Sequence, residues 1–369
     1  MKFFDLSSGK KTVTCGISEF REVRPGERVQ GPFKVWELTD SRGWVHDYHW
    51  KKPSSLLKPV GFYEIDDLIV TQPGSTIVST HFGFNCATGL DTQRSIPEHQ
   101  SYFSGSPKNK IIIEADVIAG DGVAFNVWGH WLVDYLPRYG VIKSALEERF
   151  SDLKILLPSY TPEWIYHTLI VTCGVKRKNI ITYNPDTDIV LCKKAILPSY
   201  CYTREFSFHS FVREFYNGIT RPFTPTEKTR KILVSRGDFS HSNRQFVQRA
   251  AFEASAVQRG YEIIRPEELS LEEQVKVFSE AAIIIGEHGS GMHNALFAGK
   301  GTVVGCLGFW NAVQLHIGYL MEHHNVYLTK GCQWPTPDRN EFWIDCSDAD
   351  LMSFLDKTEA IASEEAASA

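Results

Sequence analysis

Residues 281–307 decide the fold, and they read AAIIIGEHGSGMHNALFAGKGTVVGCL. The apolar run at 281–285 predicts a buried strand, and the run at 302–307 predicts a second one. Between them lie a glycine-rich turn and a segment, 292–298, that predicts a helix. A strand, a helix and a second strand of this kind form the repeating unit of a parallel sheet covered by helices on both faces.

The same alternation continues upstream of this stretch. Strands are predicted at 231–235 and 261–264, and a helix at 243–259 is closed by Gly260. Ser270 and Glu273 have the spacing of a capping box, which predicts the start of another helix. Pro222 and Pro225 mark a linker before this region. We therefore predict an N-terminal domain at 1–220 and a C-terminal domain at 221–369.

The N-terminal part has another pattern. Its first hundred residues contain short β-type stretches broken by glycine and proline, which predicts a β-rich start. From about 110 to 200, strands alternate with helices predicted at 128–146 and 162–173, and Pro137 is expected to end or kink the first of these. The last residues, 358–369, are rich in Ala, Ser and Glu and are expected to fray. The predicted class is α/β.

Composition excludes several classes of function. The 369 residues carry a net charge of -5, so neither nucleic acid nor an acidic membrane surface is an expected partner. No run reaches the roughly 18 apolar residues of a membrane span, and the first residues have no signal-peptide pattern. The eight cysteines form no Cys-x-x-Cys pair, so we expect buried free thiols and a cytoplasmic setting.

The glycine-rich turn is a candidate anion site. Ligands of open parallel sheets bind at the carboxyl ends of the strands, often against a helix N-terminus. Gly289 and Gly291 follow a predicted strand directly, so the backbone can approach a diphosphate closely. Arg236 ends the preceding strand and Arg244 is expected to begin the next helix, which places both at the same edge. The alternatives are a plain tight turn and a pair of surface arginines.

A second group of candidate residues lies in the predicted helix at 128–146. His130 and Asp134 are four residues apart and share one helix face, and an imidazole oriented by a carboxylate can take a proton from a hydroxyl. Either one is a candidate general base, and Glu287 is a further candidate. Trp131 and Arg138 are expected on the acceptor side. The alternative is a local hydrogen bond between His130 and Asp134 without chemistry.

Three other patterns carry less weight. Asp-x-Asp occurs at 186–188 and at 348–350, where it predicts a turn and a helix start rather than a metal site. The pair His323-His324 lacks zinc spacing and is expected in a solvated loop. The stretch GKGT at 299–302 resembles the end of a phosphate loop. However, Asn294 stands where the first glycine of that motif should be, and Gly301 replaces the Ser or Thr that should follow the lysine. No metal is expected.

Together these pieces follow one order along the chain: His130, Trp131, Asp134, Leu136, Pro137 and Arg138, then Ser235, Arg236 and Arg244, then Gln274, then Gly286, His288, Gly289, Gly291, Asn294 and Phe297. This ordered set resembles glycosyltransferase family 61 over about 120 to 305. The family includes plant xylosyl- and arabinosyltransferases, animal transferases of N-acetylglucosamine, and bacterial proteins linked to surface polysaccharide.

The resemblance implies a GT-B-like fold, with two Rossmann-type domains facing a cleft and the donor held by the C-terminal domain. It also implies inverting, metal-independent transfer from a nucleotide sugar, expected to be UDP-linked, such as UDP-xylose or UDP-GlcNAc, to a glycan hydroxyl. The donor-binding residues so expected are Arg236, Arg244, His288, Gly289, Ser290, Gly291 and Asn294. The turn departs from the usual family pattern, as does the pair Gln248-Arg249, and both departures predict a shifted sugar preference.

Two functions from other classes stay open. An NAD-dependent oxidoreductase would explain the Gly-x-Gly turn, although Asn294 replaces the third glycine and no acidic residue ends the strand at 302–307. A non-catalytic protein that binds a nucleotide or a glycan would keep the fold without the chemistry.

Overall fold

A computed structural model describes residues 20–30, 35–38, 54–72, 75–78, 82–85, 93–94, 109–120, 122, 124–203, 207–225, 227–237, 244–309, 311–333 and 342–368. The chain forms two compact units. The first comprises Met1–Glu27 and Lys58–Arg204, and the second comprises Arg28–Leu57 and Glu205–Ala369.

The described residues form a mixed α/β structure with several sheets. Its strands are β1 (Arg21–Arg24), β2 (Glu27–Gln30), β3 (Val35–Leu38), β4 (Ser54–Leu57), β5 (Val60–Gln72), β6 (Ser75–Val78), β7 (Phe82–Asn85), β8 (Gln93–Arg94), β9 (Asn109–Ile118), β10 (Lys154–Pro158), β11 (Ile180–Tyr183), β12 (Asp188–Pro198), β13 (Arg230–Val234), β14 (Arg244–Phe246), β15 (Tyr261–Ile264), β16 (Ala281–Glu287), β17 (Val303–Leu307), β18 (His324–Leu328), β19 (Cys332–Gln333) and β20 (Phe342–Ile344).

Helices of three types connect the strands. The α-helices are α1 (Trp128–His130), α2 (Leu136–Leu146), α3 (Glu163–Thr168), α4 (Ser210–Thr220), α5 (Arg249–Gln258), α6 (Leu271–Ser279), α7 (Ala312–Leu320) and α8 (Asp348–Ser368). Two π-helical turns span Trp131–Tyr135 and Leu169–Cys173. The 3-10 helices are Glu147–Asp152, Arg177–Asn179, Arg221–Phe223, Pro266–Glu268 and Ser290–Phe297.

The first unit is built on one mixed sheet with the strand order β11-β10-β9-β12-β5-β6-β7-β8, and β1 pairs with β5. The strands β9 to β12 run parallel to their neighbours, whereas the pairing of β12 with β5 and the pairs from β5 to β8 are antiparallel. The predicted β-rich start is confirmed: before residue 128, the described residues form strands and no helix. Ile65, Val117 and Val190 belong to the core of this sheet.

Pro137 does not end the helical structure, although the regular α-helix is interrupted directly before it by a π-helical turn. Helical structure continues from Trp128 to Leu146 through the π-helical turn, and the Leu136 N–H donates to the Trp131 carbonyl, five residues back. Pro137 stands in the first turn of α2, directly after the π-helical turn, where the regular hydrogen bonding of an α-helix is already interrupted. The wider turn thus absorbs the proline.

The second unit is built on the parallel sheet predicted from 231–307, with the strand order β15-β13-β16-β17-β18-β3. Two helix predictions are corrected. The segment predicted as a helix from 243 forms β14 first, and the helix begins only at Arg249, while Asn243 itself lies outside the described residues. The segment at 292–298 belongs to a 3-10 helix rather than an α-helix.

The C-terminal helix α8 covers this sheet. Its buried Phe354 and Leu355 belong to one core cluster with Ile285. Thr358 and Ile361 are also buried, and α8 continues to Ser368, so the predicted fraying from 358 is wrong. The residues predicted to be a helix start at 348–350 do begin this helix. An apolar stripe every three to four residues gives α8 its packing face.

The prediction of a solvated loop at His323-His324 is also wrong, because both side chains are buried. The His323 Nε2 lies 3.2 Å from the Ala298 carbonyl oxygen, and the His324 Nε2 lies 2.7 Å from Oε2 of Glu365 in α8. Burial lowers the pKa of His323 to about 4. These histidines therefore join neighbouring elements of the core.

The predicted domains, 1–220 and 221–369, stay a prediction. The two compact units of the chain have other boundaries, because the second unit begins again at Glu205 and also includes Arg28–Leu57. Helix α4 belongs to the second compact unit. Its Tyr216 ring packs edge-on against Phe297, with 5.5 Å between the ring centroids.

Six cysteines of the described residues are free, and Cys332 alone among them is not fully buried. No described helix combines the length and the apolar character needed to cross a membrane.

The capping box at Ser270 supplies the first test. The Ser270 hydroxyl accepts the Glu273 N–H at 3.2 Å, and the Glu273 carboxylate accepts the Ser270 N–H at 2.8 Å. We expect Ser270→Ala to lower the free energy of unfolding by about 1 kcal/mol, since the first turn of α6 loses its cap. Urea denaturation measures this change. Ser363→Ala, an exposed serine inside α8, is the matched control and should be neutral or slightly stabilising. Equal losses in the two variants would contradict the capping role.

Candidate active site

The glycine turn lies where the sequence predicted it, at the carboxyl end of β16. The backbone runs from Glu287 through His288 and Gly289 into the 3-10 helix that begins at Ser290. A Cβ atom on Gly289 would lie 2.6 Å from Nη1 of Arg236, and one on Gly286 would lie 2.7 Å from the Val234 carbonyl oxygen. Gly286 therefore needs glycine, because a side chain there would collide with the backbone, and the absence of a side chain at Gly289 lets Arg236 lie directly against the turn.

Two arginines and two histidines surround this turn. Burial and the nearby charge of Arg236 lower the pKa of Arg244, although Arg244 lies in β14 and not in the predicted helix. Burial is the main cause that holds the pKa of His288 well below its usual range. The charges of His293, Arg244 and Arg236 lower it further. His288 is therefore neutral at pH 7. The structure thus brings together three of the residues predicted for donor binding: Arg236, Arg244 and His288.

Arg236 is the cation most open to a further partner. Burial is the main cause that lowers the pKa of its guanidinium, while the charge of Glu287 opposes that effect. Its Nε atom is buried and has no hydrogen-bond partner among the described residues. A buried donor without a partner carries a free-energy cost that an anionic ligand could remove.

Glu287 is not arranged as a base. Its carboxylate is buried and accepts two parallel hydrogen bonds from Arg249, Nε to Oε1 at 2.8 Å and Nη2 to Oε2 at 3.0 Å. Arg249 Nη1 also donates to the Gly237 carbonyl at 2.8 Å. Such a bidentate pair engages both carboxylate oxygens of Glu287. Sequence reasoning noted Arg249 only as a departure from the family pattern and missed this partnership.

Asn294 has a different place from the one expected of a donor-binding residue. Its side chain is fully buried, and its Nδ2 donates to Oε1 of Gln274 at 2.8 Å. The Gln274 Nε2 in turn donates to the Leu269 carbonyl at 3.1 Å. Asn294 therefore ties the 3-10 helix to α6 from inside the unit, whereas Ser290 and Gly291 at the turn are partly exposed.

In the first unit, His130 and Asp134 form the predicted pair. The His130 Nδ1 lies 2.6 Å from Oδ2 of Asp134, and the side chains are 53% and 9% exposed respectively. With Asp134 accepting the Nδ1 hydrogen, Nε2 is the nitrogen that can accept a proton. The hydrogen bond and the charge of Asp134 raise the pKa of His130, against a smaller lowering by burial.

Tyr202 is a third member of this group, and sequence reasoning missed it. Burial raises the pKa of Tyr202, and the charge of Asp134 and a hydrogen bond to that carboxylate add to the effect. Tyr200 and Tyr202 pack edge-on, with 5.5 Å between the ring centroids. Asp134 is thus held between an imidazole and a phenol, which orients both.

Trp131 and Arg138 are both buried and hydrogen-bonded inside the unit, and their expected place on the acceptor side stays a prediction. Trp131 is fully buried and its Nε1 donates to Oγ1 of Thr168 at 2.8 Å. Arg138 is 1% exposed; its Nη1 donates to the Gly120 carbonyl at 2.7 Å and its Nη2 to the Pro198 carbonyl at 2.7 Å. Because Gly120 follows β9 and Pro198 is the last residue of the parallel strand β12, Arg138 joins the carboxyl ends of these two strands.

One aspartate of each Asp-x-Asp pattern accepts hydrogen bonds from neighbouring groups. Asp188 accepts the Asn184 N–H at 2.7 Å, which closes the turn predicted there. Asp350 accepts from Lys330 at 2.9 Å and from the Ser347 hydroxyl at 2.6 Å. In the part of the chain that the structure describes, no three His, Cys, Asp or Glu side chains are grouped as metal ligands would be.

The fold and the candidate site define an α/β protein with a parallel sheet, an arginine-lined glycine turn in the unit that contains this sheet, and a histidine–aspartate pair in the other unit. A comparison with protein families matches residues 128–305 to glycosyltransferase 61. Residues 128–305 are therefore similar to glycosyltransferase family 61, and this family implies sugar transfer between a donor and an acceptor. The comparison with curated proteins found no match.

The His130 pKa supplies the second test. Because the ion pair raises this pKa, the stabilisation is fully present below the ordinary value of 6.5 and is lost as pH rises through the folded value. An NMR titration, assigned with His130→Gln, should find the His130 pKa above 6.5. Asp134→Asn should lower it, since the carboxylate charge is removed. An unchanged pKa in Asp134→Asn would show that Asp134 does not hold the imidazole.

The Arg249–Glu287 pair supplies the third test. Arg249→Met should lower the free energy of unfolding by about 3 kcal/mol, because it leaves the buried Glu287 carboxylate without its partner. The double variant Arg249→Met with Glu287→Gln should regain more than half of that loss, since no buried charge is left alone. Urea denaturation of the four proteins in this cycle measures the coupling. Additive losses would mean that the two side chains act independently.

Proposed function

We propose that the protein is an inverting, metal-independent glycosyltransferase that moves a sugar from a nucleoside-diphosphate sugar to a glycan hydroxyl. The observation that carries the proposal is the approach of Arg236 to Gly289, with Arg244 beside it. A departing diphosphate needs positive charge, and two guanidiniums at a glycine turn supply it without a metal. The donor is proposed to be UDP-linked, such as UDP-xylose or UDP-GlcNAc.

His130 is proposed as the general base, with Asp134 as the residue that positions it. The acceptor oxygen forms a bond to the anomeric carbon while the bond from that carbon to the diphosphate oxygen breaks. The acceptor proton passes to Nε2 of His130, and the bonding electrons leave with the diphosphate. A single displacement of this kind inverts the anomeric centre. Glu287, which is paired with Arg249, supports the charge balance of the turn rather than the proton transfer.

The division of the chain into two compact units, each with its own sheet, is compatible with a GT-B-like organisation, with the donor in the C-terminal domain and the acceptor on the N-terminal domain. This organisation is a proposal, as are the boundaries 1–220 and 221–369. Ser290 and Gly291 are proposed to contact the diphosphate through the partly exposed turn. The free, mostly buried thiols are consistent with a reducing, cytoplasmic setting, which we propose for the protein.

Nucleotide binding is the fourth test. We expect a thermal-shift panel with UDP, GDP, CMP, dTDP, ADP and NAD to show stabilisation by UDP that survives EDTA. At a UDP concentration of 100 times the dissociation constant, binding should raise the free energy of unfolding by about 2.7 kcal/mol. Arg236→Ala should weaken UDP binding about tenfold or more, since it removes a charge-assisted contact. Arg213→Ala, an exposed arginine of the same unit, is the control. A shift with NAD alone would favour the oxidoreductase, and a need for manganese would exclude the metal-independent step.

Transfer itself is measured by UDP release from UDP-xylose and UDP-GlcNAc with oligosaccharide acceptors. His130→Ala should lower kcat by roughly a hundredfold or more without a comparable change in the KM of the donor, since the base acts only in the chemical step. His167→Ala, an exposed histidine of the same unit, is the control. Binding of UDP without any transfer by the unmodified protein would point to the non-catalytic alternative.

A further inference from the structure

A second cavity lies in the second unit, away from the glycine turn. Its volume is about 460 Å³, within the range of small-ligand sites. It is lined in part by the cations Arg221, Lys228 and Lys300. Lys300 belongs to the GKGT stretch, which departs from the phosphate-loop pattern. This stretch has no role in the proposed transfer.

The cavity lies at the opposite edge of the sheet from the glycine turn. Lys228 comes just before β13, Ser279 just before β16, and Lys300 just before β17. Because these strands are parallel, their amino ends share one edge, and the turn at Gly289 is at the other. Strand β16 has seven residues and so spans roughly 20 Å. One ligand of sugar size cannot reach both places.

Lys228 is the most constrained of the three cations. Its Nζ donates to the Lys300 carbonyl and, at 3.3 Å, to the Thr302 hydroxyl, which are both neutral. Burial lowers the pKa of Lys228, and the charge of Glu365 opposes this only in part. Among the described residues no carboxylate forms an ion pair with Lys228. A half-buried ammonium held by neutral oxygens gains from an added anion.

Carboxylates near the cavity are already engaged. Glu322 pairs with Lys300 at 2.8 Å and with Arg213 at 2.5 Å, and Glu365 accepts from His324 at 2.7 Å. Arg221 is exposed and forms no ion pair among the residues that the structure describes. Counting these groups, the cations outnumber the carboxylates, so the cavity attracts anions.

The rest of the lining is neutral. Asn217 is exposed and offers its side-chain amide, which can bind a hydroxyl, while the buried Thr220 and Phe297 form the floor of the cavity. We propose that this cavity binds an anionic sugar, either a free sugar phosphate or an acidic sugar residue of a glycan. The two sources share one chemistry, a negative group on a hydroxylated ring. This proposal does not depend on the transferase activity.

The test is a calorimetric titration of the whole protein at low salt with four probes: glucose 6-phosphate, a glucuronic acid oligosaccharide, glucose and inorganic phosphate. We expect one of the two anionic sugars to bind, with glucose not binding and phosphate binding more weakly. Which anionic sugar binds identifies the source. The double variant Arg221→Ala with Lys300→Ala should weaken that binding about tenfold, because two exposed cations are removed.

Two controls make the result decisive. Lys176→Ala, an exposed lysine of the first unit, should leave the affinity unchanged. Arg236→Ala should also leave it unchanged, since it lies at the other edge of the sheet. Binding of none of the probes, binding that ignores the double variant, or binding that is lost in Arg236→Ala would overturn the proposal. Inorganic phosphate binding as tightly as either sugar would overturn the sugar part and leave an anion site. These outcomes are independent of whether UDP binds.

Discussion

The charge of the glycine turn depends on one buried ion pair. Glu287 ends the central strand of the second sheet, and its charge acts on Arg236. Arg249 takes both carboxylate oxygens of Glu287, so the parallel hydrogen bonds of this carboxylate go to Arg249 and not to Arg236. Burial is the main cause that lowers the pKa of His288, and the charges of His293, Arg244 and Arg236 add to it.

The parts of this protein that could be predicted from sequence are those governed by local rules. Apolar runs such as 281–285 define strands by burial alone, and the capping box at Ser270 needs only two side chains three residues apart. The pair His130 and Asp134 follows from helical spacing, which the π-helical turn preserves closely enough for a 2.6 Å contact. The close approach of Arg236 to the turn follows from strand order, because the carboxyl ends of adjacent parallel strands meet.

What sequence reasoning missed depends on contacts between distant residues. Nothing near Arg249 in the chain indicates that it binds Glu287, and nothing near Asn294 indicates that its amide meets Gln274. The burial of Trp131 and Arg138 also comes from packing, since aromatic and charged residues in a helix can face either way. The polar character of His323 and His324 predicted exposure to solvent. The Glu365 carboxylate of α8, however, forms a hydrogen bond with the buried His324 side chain.

Strand β3 has a consequence for how the second unit forms. It comes from the first tenth of the chain, yet it is the edge strand beside β18, where Val35 stands opposite Asn325. During synthesis this segment leaves the ribosome long before its partner exists, so it must wait unpaired while the intervening residues are made. The contact order of the second sheet is correspondingly high, which slows folding. A fragment beginning at 221 would present β18 as an open edge, and open parallel edges recruit other chains.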